Sequence, residues 1–145
     1  MIDSHCHLDL LASKKDLNTA LERAKAAGLT RLMAPSINPH SWQTLQALSS
    51  EYQHLLPIDT ALGLHPYFLS SNECDLKNGI ASLSQEQLVK GQLSQLENAA
   101  AMRHPSVKAI GETGIDGHIK VPLKLQQQVF NAHLNVAERC TLPVI

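Results

Sequence analysis

Aromatic side chains are scarce in this chain: two phenylalanines, two tyrosines and one tryptophan among 145 residues. Non-specific binding of single strands relies on rings that stack successive bases, so no broad nucleic-acid platform is written into the composition. Charge of one sign is equally lacking. The formal net charge is −1 and the isoelectric point near 6.7, which excludes a general basic field for phosphate backbones and leaves only local patches. No apolar run approaches the ~18 residues of a membrane-crossing helix, and the N-terminus carries no secretory hydrophobic region. The three cysteines, Cys6, Cys74 and Cys140, show no C-x-x-C spacing and cannot all pair. Reduced thiols in a cytoplasmic protein, with no membrane partner, are the expectation. At 43% hydrophobic and 17% charged residues, the chain has the material for one domain with a sizeable core.

Histidine is what the chain has in plenty. There are eight, and two of them stand in the opening MIDSHCHLDL. In a β-strand, residues two apart share a face. On that reading Asp3, His5, His7 and possibly Asp9 project together, with Cys6 on the opposite side as a buried thiol. Two imidazoles and a carboxylate on one face make a poor core and a good start to a metal site.

The rest of the chain alternates in a regular way. Helical periodicity marks 14–28, 41–53 (Ser41 as N-cap), 84–104 (opened by the capping box S-Q-E-Q) and 122–140. Between them lie extended segments: MIDSHCHL, LTRLMAPS, HLLPIDTALGLHP, SVKAIGETG and TLPVI. A polar stretch over 67–80 reads as a loop. The order βαβαβαβαβ implies right-handed crossovers and a parallel sheet covered by helices. Two architectures fit, an open doubly wound sheet or part of a (β/α)8 barrel of the TIM type. A whole barrel needs ~250 residues, so this chain would hold about five parallel strands and four helices of one.

Active sites of parallel α/β folds lie at the carboxyl ends of the strands. Those ends collect His5, His7 and Asp9 after strand one, Ser36 and Asn38 after strand two, His65 after strand three, and Glu112 and Asp116 after strand four. A His-x-His pair joined by a carboxylate from another strand has the composition of a catalytic divalent site. His40, His54, His104 and His118 fall in loops or helix ends and read as solvated, and His133 as a packed or surface residue of the last helix.

DSHCHLD at the start, GLHP after strand three, AIGETGID after strand four and the closing LPVI together resemble the TatD-like metal-dependent hydrolases of the amidohydrolase-type barrel superfamily. The motifs occur in order along the whole chain. The resemblance implies a metal-dependent hydrolase, a phosphodiesterase acting on DNA through a divalent-metal-activated water. It implies two divalent ions (Zn, Mn or Mg), with His5 and His7 as ligands, Glu112 as the ligand bridging both, and His65 beside the substrate phosphate. It also implies that residues 1–145 form the N-terminal part of a single barrel domain, cut after strand five, with the aspartate base beyond Ile145. Two alternatives stand beside it: a superfamily hydrolase of small amides, lactones or phosphomonoesters, and a catalytically incomplete fragment. Such a fragment would expose open sheet edges and self-associate through them.

Overall fold

The computed structural model describes residues 1–13, 16–70 and 84–145. Among these, the chain runs β1 (Ile2–Asp3), α1 (Leu8–Ala12), α2 (Leu17–Ala26), β2 (Arg31–Pro35), α3 (Pro39–Tyr52), β3 (Ile58–Leu62), a 3-10 turn (Pro66–Ser70), α4 (Gln85–Ala101), β4 (Val107–Ile110) and α5 (Leu123–Cys140). The four strands form one parallel sheet in the order β1-β2-β3-β4. The expected fifth strand is reduced to a parallel bridge between Val144 and Ile110. It is held by the Ile110 amide on the Pro143 carbonyl at 2.9 Å and the Ile145 amide on the Ile110 carbonyl at 3.0 Å. Each strand lies beside its predecessor, without the reversal of order that defines a doubly wound sheet. β3 is buried at nearly every position, as expected of a parallel strand covered on both faces.

The helices start where local chemistry supplies a cap. The box at the start of α4 is present, with Ser84 accepting from the Gln87 amide and the Gln87 side chain accepting from the Ser84 amide. α3 begins earlier than the sequence suggested. Its cap is Asn38, which accepts from the Ser41 amide at 2.9 Å, while Pro39 takes the first turn, where no amide donor is needed. Ser41 is therefore the reciprocal partner of the cap. α2 is capped by Asp16; Lys14 and Lys15, expected at its start, lie outside the described residues, as do Cys74 and the part of the expected 67–80 loop beyond Ser70. α5 ends at Thr141, in the left-handed region at φ 56°.

Strand one is shorter than MIDSHCHL. The Asp3 carboxylate accepts from the His5 amide at 3.1 Å, a local bond that turns the chain out of the ladder. The Cys6 amide returns to the Met33 carbonyl at 2.9 Å, and Cys6 packs with the cluster of Leu8, Leu17, Leu32 and Leu45. His5 and His7 thus sit on a loop at the end of β1, not within a strand, and His7 leads into α1, a helix too short and too weakly capped to stand out in the sequence. A second cluster, built on Leu62, Leu64, Leu96, Val129 and Val136, lies under α4 and α5.

Candidate metal centre

Glu112 is delivered by the turn after β4, and two glycines make room for it. Gly111 adopts φ 143°, a region that residues with a Cβ rarely enter, and a Cβ there would meet the Ile145 carbonyl. A Cβ on Gly63, after β3, would meet the backbone of Gly111 and Glu112. The Gly111 amide bonds to the Leu62 carbonyl at 2.7 Å and the Glu112 amide to the Ser36 carbonyl at 2.9 Å. The turn that carries the carboxylate is therefore clamped to the ends of both β2 and β3.

The two carboxylate oxygens face different partners. Oε2 lies 3.6 Å from His5 Nε2 and 3.8 Å from His7 Nε2, whereas Oε1 lies 3.9 Å from His65 Nε2. These separations exceed hydrogen-bond range, and Oε2 is buried without a hydrogen-bond partner. Ligand atoms sharing one cation through bonds of ~2.1 Å sit roughly 3–4 Å apart. One ligand atom from each of His5, His7 and Glu112 lies within 4.8 Å of the others. Two imidazoles and a carboxylate suit Zn²⁺ or Mn²⁺, so these three residues could hold one divalent ion. The His5 and His7 rings meet edge to face, with centroids 5.1 Å apart, and both are part-exposed, leaving an approach from solvent.

The remaining rim candidates divide. His65 joins the group. Its amide bonds to the Ile37 carbonyl at 3.0 Å and its Nδ1 accepts from the Tyr67 amide at 3.2 Å, which leaves the proton of the neutral ring on Nε2, facing Glu112. Asp9 does not join; it sits in the first turn of α1 with Oδ1 buried and unbonded. Asp3 bonds its own loop, Asn38 caps α3, and Asp116 accepts from the His118 amide at 2.8 Å. Ser36 is 1% exposed; its hydroxyl donates to the Ala61 carbonyl and accepts from the Gly63 amide at 3.1 Å, so it supports the rim from beneath. Burial, and then the charges of Asp3 and Asp9, push the Cys6 thiol pKa up, which keeps it protonated and unreactive.

Among the solvated candidates, His40, His54 and His118 are exposed, while His104 is half-buried with Nδ1 against Ser106 Oγ at 2.9 Å. Two supporting residues were not foreseen. Gln126 is fully buried; its amide group accepts from the Asp116 amide at 2.7 Å and donates to the Asp116 and Val121 carbonyls at 3.0 and 2.8 Å. It ties down the segment that follows Glu112. His133 is fully buried and bonded on both ring nitrogens. The only sequence signal for either was a polar residue on the apolar side of a helix.

A family model described as TatD related DNase matches residues 2–145. The chain belongs to this family. Among its TatD relatives, the Escherichia coli protein YjjV, an uncharacterized metal-dependent hydrolase, is 32% identical over 145 residues, covering 99% of this chain and 49% of that protein. Human deoxyribonuclease TATDN3 is 28% identical over 153 residues, covering 99% and 50% respectively. The 3'-5' ssDNA/RNA exonuclease TatD of Citrobacter koseri is 27% identical over 146 residues, covering 99% and 48%. The crystal structure of YjjV, a TatD homolog from Escherichia coli, superposes with a TM-score of 0.79 at 31% identity, over 99% of this chain and 49% of that one. The chain thus spans about half the length of the curated TatD relatives it matches, and its sheet is a partial TatD-type (β/α)8 barrel. Among the described residues, no helix is long and apolar enough to cross a membrane.

Proposed function

We propose that His5, His7 and Glu112 are metal ligands, and that the protein containing this chain is a metal-dependent phosphodiesterase acting on DNA. The observation that carries this reading is the Glu112 carboxylate, whose buried Oε2 has no hydrogen-bond partner yet faces two imidazole nitrogens at 3.6 and 3.8 Å. A buried carboxylate left without a partner is costly, and a cation between the three groups removes that cost. The divergence of Oε1 toward His65 supports Glu112 as a bridge between two ions. When bound, divalent ions would acidify a water and polarise the phosphoryl oxygen. His65, with its proton on Nε2, would donate to a phosphate oxygen, and the clamped Gly111–Glu112 turn would hold the carboxylate still. The human and Citrobacter relatives, named a deoxyribonuclease and an ssDNA/RNA exonuclease, favour a nucleic-acid phosphodiester over an amide or lactone.

Residues 1–145 are then the N-terminal part of one barrel domain, with the aspartate base supplied from outside them. The chain by itself holds an ion more weakly than a four-ligand site and is catalytically incomplete. Its sheet edges favour self-association, with Ile2 of β1 62% exposed. The free thiols of Cys6 and Cys140 suit a cytoplasmic setting. The test is hydrolysis of a single-stranded oligonucleotide and of an aryl phosphodiester by the protein purified from its whole coding sequence, with Mn²⁺, Zn²⁺ or Mg²⁺ added. Turnover that is abolished by chelation and falls at least ~100-fold in Glu112→Gln is expected. Equal activity of that variant, or turnover of amides and lactones alone, would sink the proposal.

A further inference from the structure

The segment after β3 is suspended by side chains from three other elements. The Gly63 amide bonds to Ser36 Oγ at 3.1 Å, the Gly63 carbonyl accepts from Trp42 Nε1 at 2.9 Å, and the Leu64 amide bonds to His133 Nε2 at 3.0 Å. His65 follows directly. The strap that presents His65 to Glu112 therefore hangs from the residue that follows β2, from α3 and from α5 at once.

We infer that His133 is a positioning residue for His65, acting through the Leu64 amide; this rests on the reading of His65 as the group beside the substrate phosphate. His133 is fully buried on α5. Its Nδ1 lies 2.7 Å from the Val129 carbonyl, an acceptor only, so Nδ1 carries the proton. Nε2 must then offer a lone pair, and that lone pair receives the Leu64 amide. No other arrangement of one proton satisfies both contacts. Burial holds the imidazole pKa below its ordinary value, which preserves the neutral acceptor form.

Leu64 is 1% exposed, so water cannot replace the acceptor, and a buried amide left unpaired would draw the backbone toward another partner. The residue it would move is the next one, whose own amide is fixed to Ile37 and whose ring is aimed at Glu112. Among the described residues, His133 has no hydrogen bond or ion pair to the candidate ligands; its ring bonds only Leu64 and Val129. Its effect on the site is transmitted through one peptide unit.

The experiment uses the protein purified from its whole coding sequence, held in chelator without metal or substrate, so its outcome does not depend on whether the protein hydrolyses phosphodiesters. A trans-hydrogen-bond coupling between the Leu64 amide nitrogen and His133 Nε2 is expected in the ¹⁵N spectrum of the wild type. His133→Gln can accept from Leu64 and donate to Val129, and should leave Leu64 amide exchange within about 3-fold of wild type and His65 in its Nε2–H form. His133→Leu should speed Leu64 exchange at least about 10-fold and move the His65 ring nitrogens toward the average of two tautomers. A role confined to packing would perturb both variants alike. Absence of the coupling in the wild type overturns the inference whether or not the leucine variant folds. So does a leucine variant with unchanged Leu64 exchange and His65 tautomer, or a glutamine variant that fails to preserve them.

Discussion

Replacing Glu112 with glutamine is expected to move thermal stability in opposite directions with and without a divalent ion. In the metal-free chain at pH 8, the groups facing the Glu112 carboxylate are the rings of His5, His7 and His65 at 3.6–3.9 Å, beyond hydrogen-bond range. Its Oε2 is buried and unbonded. An unpaired buried polar group costs about 1–3 kcal/mol, and because the side chain is 24% exposed the lower end applies, about 1 kcal/mol after solvent screening. For a chain of this length, 1 kcal/mol corresponds to roughly 3 °C in Tm, so the variant should melt at or up to about 3 °C above wild type. With an ion at 100 times its Kd, the wild type gains about 2.7 kcal/mol, or roughly 8 °C. The variant keeps only the two imidazoles and should gain under about 3 °C. Calorimetry in chelator and in Mn²⁺ or Zn²⁺, with His54→Ala as an exposed control far from the site, reads both arms. A variant that retains the full ion-dependent rise, or that melts several degrees lower in chelator, would refute the placement of a cation on Glu112.

Other substitutions test the framework. Gly63→Ala places a Cβ against the Gly111–Glu112 backbone and should lower stability by about 2–3 kcal/mol, read as a drop in urea midpoint; an unchanged midpoint would mean the two turns are not in contact. Asn38→Ala removes the acceptor for the Ser41 amide and should cost about 1 kcal/mol, visible by the same assay. His133 supplies the pH test. Its folded pKa is depressed by burial, so the unfolded chain binds its proton more readily, and stability falls as pH drops through the ordinary histidine value near 6.5 toward the lower folded value. Between pH 7.5 and 5 the urea midpoint of wild type should fall more steeply than that of His133→Gln, the other histidines being common to both. Parallel slopes would show that His133 is not buried as a neutral ring.

The candidate ligands stand out in the sequence because each follows an apolar segment whose end the pattern marks; that His5 and His7 lie together is set by the loop after β1 and not by strand alternation. The break in strand one does not stand out. It depends on whether the Asp3 carboxylate or the ladder wins the His5 amide, a competition between bonds of similar strength. The cap of α3 was misassigned for a related reason, since Asn38 and Ser41 are both good caps and only the Pro39 first turn decides between them. The supports of the rim were the least visible. His133 and Leu64 are 69 residues apart, and nothing local to α5 indicates that a backbone amide after β3 will need an acceptor there.

The turns bearing the site are joined edge to edge: Glu112 to Ser36, Gly111 to Leu62, and His65 to Ile37. Mechanically they form one plate. Lengthening any one of these turns would tilt the other two, so insertions that diversify members of this family should be confined to segments off the plate. New specificity would then arise from side chains leaning over a fixed floor.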